Sequence, residues 1–503
     1  MTSWTCGEIT QWAVLSAKTL GIRKSLPFGI LEKVELGSNL KFKAQNPYLL
    51  SVYPIQYFRM KHRYTLLGLL FFLSSSLFAQ NIKALVGGTL IDGFGGVPIR
   101  NSVILLEGER IQAVGQIGTL EIPQGAEVIS TEGMSVLPGL WDMHVHLMLN
   151  GHSDYTHWDT TYLDILGSVI MPSSAHQLLL AGVTSARDLG APLEPSIEVR
   201  DRINRGEIPG PTIYVSGPFI QKAPYPGTEA FRWGVNGAAD ARAKVKKLVD
   251  AGVDVIKLID QDQMTLEEAK AVVEEAHKYG KMVVGHSHRP EEIRIGLEIG
   301  VDNFEHTGLS SAPEYPDDIM LKIKERSAKM NLGPLFWTPT VEGLWNYESV
   351  RDNPEKLDDP SWHLGLPDSI VRDIRASLRF PGRMSYFQLT PVRKPTLTRK
   401  FAQLKESGVV MLVGTDSGIP MKFHSQSTWN ELDVWVNQFG MDPLLTIKAA
   451  TYWPAVAMKV DKDYGTISEG KYADIIAVRG DVLRYINLLQ DVDLVIKHGK
   501  KVK

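Results

Sequence analysis

Short apolar runs alternate with amphipathic stretches along the middle of the chain, residues 137–455. Val253 to Ile259 reads as a strand. Thr265 then opens a helix, because Thr265-Leu-Glu-Glu268 has the spacing of a capping box. Leu266, Ala269, Val272, Val273 and Ala276 fall on one face of that helix, and Gly280 ends it. Met282 to Val284 is the next strand, Glu291 to Ile299 the next helix, and Val301 to Phe304 the strand after that. Strand and helix repeating in units of about 20–30 residues predict a parallel sheet. So long a run of units favours a closed (β/α)8 TIM barrel over an open sheet. Both flanks differ. Residues 80–136 and 456–503 hold short β-rich runs such as Val103 to Leu106, Ile475 to Val478 and Leu494 to Ile496, cut by glycines. These flanks are predicted to form one small β-sandwich domain. The stretch 345–400 is rich in Pro, Asp and Arg and is predicted to be an insertion near the barrel mouth.

The start of the chain follows neither pattern. Residues 1–59 show no sustained period and read as a mis-assigned upstream extension. Residues 60–79 have a basic head (Lys61, His62, Arg63), an apolar middle from Leu66 to Leu73 and a small-residue end at Ala79. That is the pattern of a bacterial-type signal peptide beginning at Met60, so a periplasmic or secreted location is expected. The apolar run is shorter than the ~20 residues a spanning helix needs, so no stable membrane insertion is expected. Composition adds exclusions. Hydrophobic residues make up 44% of the 503 and charged residues 22%, which excludes a disordered or collagenous chain. A formal net charge of −3 gives no basic surface for nucleic acid. The one cysteine, Cys6, excludes an internal disulfide and a thiolate zinc knuckle.

The chemistry sits at the predicted strand ends. In Leu140-Trp-Asp-Met-His-Val-His146, His144 and His146 are two apart on a strand and so share a face, with Asp142 expected on that face below them. Two adjacent imidazoles form a metal clamp. Lys257 lies in an otherwise apolar strand, so it is either bonded at the strand end or aimed into a site. Burial favours its neutral amine. A neutral amine can take up carbon dioxide, giving an anionic carbamate able to bridge two cations. His286, His306 and Asp416 each follow a short apolar run directly, at the end where barrel active sites assemble. Four histidines, one lysine and one aspartate suit a site for two divalent cations, with Zn2+ the leading candidate. His152, His157 and His424 are read as surface or supporting residues. Arg187 and Asp188 are read either as part of a functional motif or, equally well, as an ion pair steadying a loop.

Leu137-Pro-Gly-Leu-Trp-Asp-Met-His-Val-His146, Ala181 to Asp188, Gly252 to Lys257, Gly300 to His306, Gly414-Thr-Asp416 and Gly465 to Asp474 together resemble the amidohydrolase superfamily. The branch they resemble most holds imidazolonepropionase-like proteins and metal-dependent Xaa-Pro dipeptidases of prolidase type. The resemblance spans about residues 81–503. It implies that His144, His146 and Asp416 hold the more buried metal and His286 and His306 the other. Carbamylated Lys257 and a hydroxide would bridge them, and Asp416 would carry the proton. Lys257 argues for the two-metal branch, because imidazolonepropionase-like mononuclear sites lack a bridging lysine. Many relatives carry a Gly-Gly-His-Gly-type segment after the third strand, where this chain has Phe219 to Gly227. There Tyr225 could serve the developing oxyanion or simply pack. His288, two residues beyond His286, is either a substrate contact or the ligand in its place. Deaminase relatives place a glutamate where this chain has Arg289. The expected substrate is a small molecule or short peptide, cleaved at an amide bond. A non-peptide cyclic amide, an N-acyl compound or a lactone would use the same site. A full donor set disfavours a non-catalytic barrel. The oligomeric state stays open, a homo-oligomer included.

Overall fold

The computed structural model describes residues 82–379 and 384–503. The upstream extension and signal peptide expected over 1–79 lie outside these residues. Strands β1–β6 are Ile82–Val86, Thr89–Leu90, Ser102–Glu107, Arg110–Gln116, Glu127–Ser130 and Met134–Pro138. Strands β7–β16 are Leu140–Val145, Val183–Asp188, Thr212–Val215, Phe219–Gln221, Arg232–Gly234, Val255–Leu258, Met282–His286, Asn303–Glu305, Phe336–Thr338 and Val410–Met411. Strands β17–β19 are Ile475–Arg479, Leu494–Lys497 and Lys500–Lys501.

The terminal strands make two sheets, ordered β4-β3-β1-β5 and β19-β18-β17-β6-β2. In the second, β17 from the C-terminal segment lies antiparallel to β6 from the N-terminal one. Leu85, Ile104 and Leu106 of the first sheet bury into one cluster with Val136, Ile475 and Ile496 of the second. That shared apolar layer holds the two ends of the chain together.

The middle of the chain is α/β. Seven parallel strands run β11-β10-β12-β13-β14-β15-β16, and three more run β7-β8-β9. Backbone bonds join these two sheets, from β9 to the residue before β12 and from β7 to the segment after β16. Asp254 donates to Val215 O at 2.8 Å on one side, and Met143 donates to Val413 O at 3.0 Å on the other. Helices follow the strands, as after β12, where Leu266–Lys278 carries the predicted capping box. Glu268 N–H donates to Thr265 Oγ1 at 3.2 Å, and Thr265 N–H donates back to Glu268 Oε2 at 2.9 Å. This satisfies two of the donors a helix start leaves open. The next helix is Pro290–Ile299 and ends at Gly300, whose φ of 90° suits a residue without a side chain.

The stretch expected as an insertion is largely helical, with Gly343–Asp352, Asp368–Ser377 and Ser385–Glu406. It does sit over the strand ends: Arg393 donates to Gly308 O at 2.9 Å, and Asp373 meets His157 of helix Tyr155–Thr161 at 2.8 Å. Among the described residues no helix is long and apolar enough to cross a membrane.

Candidate metal centre

Parallel strands buried on both faces give side chains a fixed direction, and the site uses it. In β12, Val255, Ile256 and Leu258 are buried apolar residues, and Lys257 is equally buried among them. Its Nζ has no hydrogen-bond partner among the described residues. Burial lowers its pKa to about 8, against the pull of Glu305 and Asp416. His286 is the last residue of β13, and its backbone is in register with Glu305 of β14.

His144 and His146 extend from β7 and converge on one carboxylate oxygen. Their Nε2 atoms lie 3.4 Å and 3.0 Å from Asp416 Oδ1. Opposite them, His306 Nε2 is 3.0 Å from His286 Nδ1, and His306 Nδ1 is 2.7 Å from Thr340 Oγ1. The ring of His288 stands 4.0 Å from that of His286 and 4.5 Å from that of His306. Donor atoms of His144, His146 and Asp416 lie within 4.8 Å of one another, and so do those of His286, His288 and His306. All six residues, with Lys257, line one cavity of about 400 Å³. The structure therefore gathers every residue proposed as a metal ligand from sequence.

The electrostatics suit cation binding. Burial pushes His144, His286 and His306 well below the ordinary imidazole range, so each is neutral and offers a lone pair. Burial likewise lowers His288 to about 3. Burial alone would raise the Asp416 carboxyl. The hydrogen bond and charge of His146, with Lys422 and Lys257, instead hold it below its usual value. The site also holds backbone that side-chain-bearing residues rarely adopt. His306 has φ 74° and Asp416 φ 64°, in the left-handed region. Such conformations cost of order 1–3 kcal/mol each and collect at functional sites.

Several expectations change in detail. Asp142 meets His144 through the backbone, accepting from His144 N–H at 3.1 Å. It accepts from Thr415 N–H at 3.0 Å, Thr415 Oγ1 at 2.7 Å and Thr428 Oγ1 at 2.8 Å, tying β7 to the segment that carries Asp416. The pairing of β7 with β8 is irregular between Asp142 and Val145, which breaks simple alternation there. Arg187 and Asp188 are not an ion pair. Arg187 Nη2 donates to Glu305 Oε1 at 2.7 Å, and Glu305 Oε2 accepts from His144 Nδ1 at 2.8 Å. A buried arginine thus anchors a buried glutamate, which fixes the ring orientation of a proposed ligand. Tyr225 lines the cavity, but its hydroxyl donates to Asp260 Oδ2 at 3.3 Å. His152 and His424 are buried rather than at the surface.

Sequence reasoning gave no role to Glu305, nor to Arg232 and Asp159 of the cavity wall. Arg232 stands in that wall, its guanidinium 4.6 Å from the Tyr225 ring and 4.8 Å from the Phe219 ring. Nη1 donates to Gln221 Oε1 at 3.1 Å, while the buried Nε has no hydrogen-bond partner among the described residues. Asp159 also lines the cavity, with a buried Oδ1 that lacks a partner among the described residues. Burial raises its pKa to about 6, opposed by Arg232.

A donor set of imidazoles and carboxylate at the carboxyl ends of parallel strands gives this α/β protein candidate sites for divalent cations. The sequence pattern of the Amidohydrolase family matches residues 135–502, and the chain belongs to that family. It is a hydrolase acting on C–N bonds. The chain is 25% identical over 473 residues to Ochratoxinase of Aspergillus niger, covering 84% of this chain and 87% of that protein. Among solved structures, a putative prolidase from Bifidobacterium longum is 28% identical with a TM-score of 0.63, over 84% of this chain and 94% of that one. A Xaa-Pro dipeptidase with bound methionine in its active site shares the fold, with a TM-score of 0.64 at 24% identity, over 84% of this chain and 100% of that one.

Proposed function

We propose that the chain is an exported two-metal hydrolase of amide bonds in short peptides, of Xaa-Pro dipeptidase type. The observation that carries this reading is Lys257, a buried amine without a partner in the same cavity as two convergent histidine clusters. As a carbamate it would gain negative charge and two oxygens where cations meet. His144, His146 and Asp416 would hold one ion. His286 and His306 would hold the other, since His286 is fixed in β13 while His288 lies beyond the strand, facing substrate. Two divalent cations, zinc by their nitrogen and oxygen donors, would acidify a water and polarise the scissile carbonyl. Asp416, kept anionic by His146 and two lysines, accepts the water proton on a carboxylate oxygen and passes it to the leaving amine. Tyr225, released from Asp260, would turn its hydroxyl to the developing oxyanion. Arg232 presents an unpaired N–H beside aromatic walls and suits the carboxylate of a peptide end.

The backbone bonds that join the two parallel sheets support a closed (β/α)8 barrel over 137–455. The shared apolar cluster supports a β-sandwich from 80–136 and 456–503. Export rests on residues 60–79 alone. A second reading, a non-peptide amide, N-acyl compound or lactone, is favoured by the aromatic wall of Phe219, Phe231 and Tyr225 and by the likeness to Ochratoxinase. Metal analysis with a substrate panel separates the two. Two ions per chain with cleavage of Xaa-Pro dipeptides supports the first. Two ions with cleavage only of N-acyl or cyclic amides replaces it with the second. A metal-free but fully active enzyme overturns both.

A further inference from the structure

A third convergent set lies outside the cavity just described. His152 precedes helix Tyr155–Thr161, His157 lies within it, and Asp373 comes from helix Asp368–Ser377. Both imidazoles present Nε2 to the same oxygen, Asp373 Oδ2, at 3.5 Å from His152 and 2.8 Å from His157. Their donor atoms lie within 4.8 Å of one another. The arrangement repeats that of His144 and His146, whose Nε2 atoms stand 3.4 Å and 3.0 Å from Asp416 Oδ1. His157 stands at hydrogen-bonding distance from Asp373, whereas His152 does not close to the about 2.8–3.0 Å of such a bond. The His152 distance is instead that between two ligands on a tetrahedral ion with bonds of about 2.0–2.2 Å, namely about 3.4 Å.

The supporting bonds fit metal ligation. His152 Nδ1 lies 3.0 Å from both the O and the N–H of Asp154: the tautomer that donates to Asp154 O leaves the Nε2 lone pair facing Asp373, and the one that accepts from Asp154 N–H makes Nε2 a donor to Asp373. Burial keeps this imidazole neutral at pH 7. Tyr162 Oη donates to Asp373 Oδ2 at 2.8 Å and fixes the carboxylate. The His157 side chain is 44% exposed and that of Asp373 31%, which leaves a way in for an ion and room for a water ligand.

We propose that His152, His157 and Asp373 form an additional divalent-metal site, with two imidazoles and one carboxylate as a zinc-binding donor set. Tyr155, Thr156, Asp159 and Thr160 of the same helix line the catalytic cavity. An ion here laces that helix to Asp368–Ser377 and steadies the cavity mouth. The site stands independently of the substrate assignment.

Zinc binding to the full chain, by equilibrium dialysis with elemental analysis, tests this. The double variant Asp373→Asn/His157→Gln is expected to hold one zinc fewer per chain than wild type. The same decrement is expected when Lys257→Ala is already present, which separates this site from the catalytic one. Equal zinc content with and without the double substitution overturns the proposal. Hydrogen exchange on the unmutated chain needs no variant. Zinc at a hundred times its dissociation constant should slow exchange in Tyr155–Thr161 and Asp368–Ser377 by about 100-fold, if opening breaks the site.

Discussion

Replacing Lys257 by methionine separates what the site needs from what the fold needs. The amine is buried in β12 without a hydrogen-bond partner, and burial lowers it to about 8. Against an ordinary lysine near 10.4, that depression corresponds to about 3 kcal/mol opposing the folded state. Methionine has a similar length and no charge. Metal-free Lys257→Met is therefore expected to be more stable than metal-free wild type by about 3 kcal/mol at pH 7. Over roughly 420 residues this raises the thermal midpoint by about 3 °C. Below pH 8 the amine is charged in both folded and unfolded wild type, so the advantage of methionine is full. Between about 8 and 10.4 the folded amine is neutral while the unfolded one still binds a proton, so the advantage shrinks, and it is gone above that range. Activity should move the other way. Loss of a bridging ligand should lower kcat/KM by more than the roughly 10–100-fold that removal of a supporting residue costs a metal site. Scanning calorimetry of chelated protein at pH 7 and pH 10, beside metal analysis and kinetics, reads both effects. In Lys257→Ala, added short carboxylates should restore part of the metal content and activity. A Lys257→Met enzyme that is destabilised yet fully active would refute the bridging role and make the amine a structural partner.

Three further outcomes follow from the geometry. Glu305→Gln breaks the charge-assisted link between Arg187 and His144, so metal affinity should fall about 10–100-fold in a chelator competition; unchanged affinity would show that His144 is held by packing alone. Arg232→Gln should raise KM about 10–100-fold for substrates with a free carboxylate and leave kcat and carboxamide-capped analogues nearly unaffected, reflecting one charged hydrogen bond. An equal loss for both substrates would contradict carboxylate recognition. His277 meets Asp302 at 2.8 Å, and that hydrogen bond raises its pKa above the ordinary 6.5. Its stabilisation is then full below about 6.5 and is lost as pH rises through the raised value. The thermal-midpoint gap between wild type and His277→Gln should accordingly be widest near pH 6 and close at alkaline pH. A gap independent of pH would remove the ion pair as its cause.

What could be read from the sequence was what local periodicity controls. The capping box at Thr265, the glycine stops and the apolar runs located the strands that carry Lys257, His286 and His306. Because a ligand at a strand end inherits the strand's direction, those residues could be nominated without knowing their partners. What escaped depended on residues far apart in the chain. Glu305 is 161 positions from His144, and Asp373 is 216 from His157. Arg187 offered a near neighbour, Asp188, yet reaches 118 positions on to Glu305, because a fully buried guanidinium takes the carboxylate that the packed strands bring to it. Arg232 lies five residues past the Phe219–Gly227 stretch where a motif of relatives is missing, and nothing local marks an arginine that packs on aromatic rings.

The backbone at the strand ends explains how donors from separate strands come to face one another. Asp260, His306, Thr340 and Asp416 all have positive φ, at 51°, 74°, 50° and 64°. The first three lie within two residues of the ends of β12, β14 and β15. A left-handed residue there turns the chain abruptly out of the sheet, and so sets where its side chain leaves the strand. None of the four is glycine, so each conformation needs compensation from its surroundings. Ladder bonds supply part of it: His306 N–H donates to Thr338 O at 2.7 Å, and Asp416 N–H donates to His144 O at 2.6 Å. The second bond links the backbones of two proposed ligands of one ion. Strain and register are thus coupled at that point. A substitution that relaxed Asp416 would also shift His144, so losses at the two positions should be strongly non-additive, a coupling that a double-mutant cycle on metal affinity would measure.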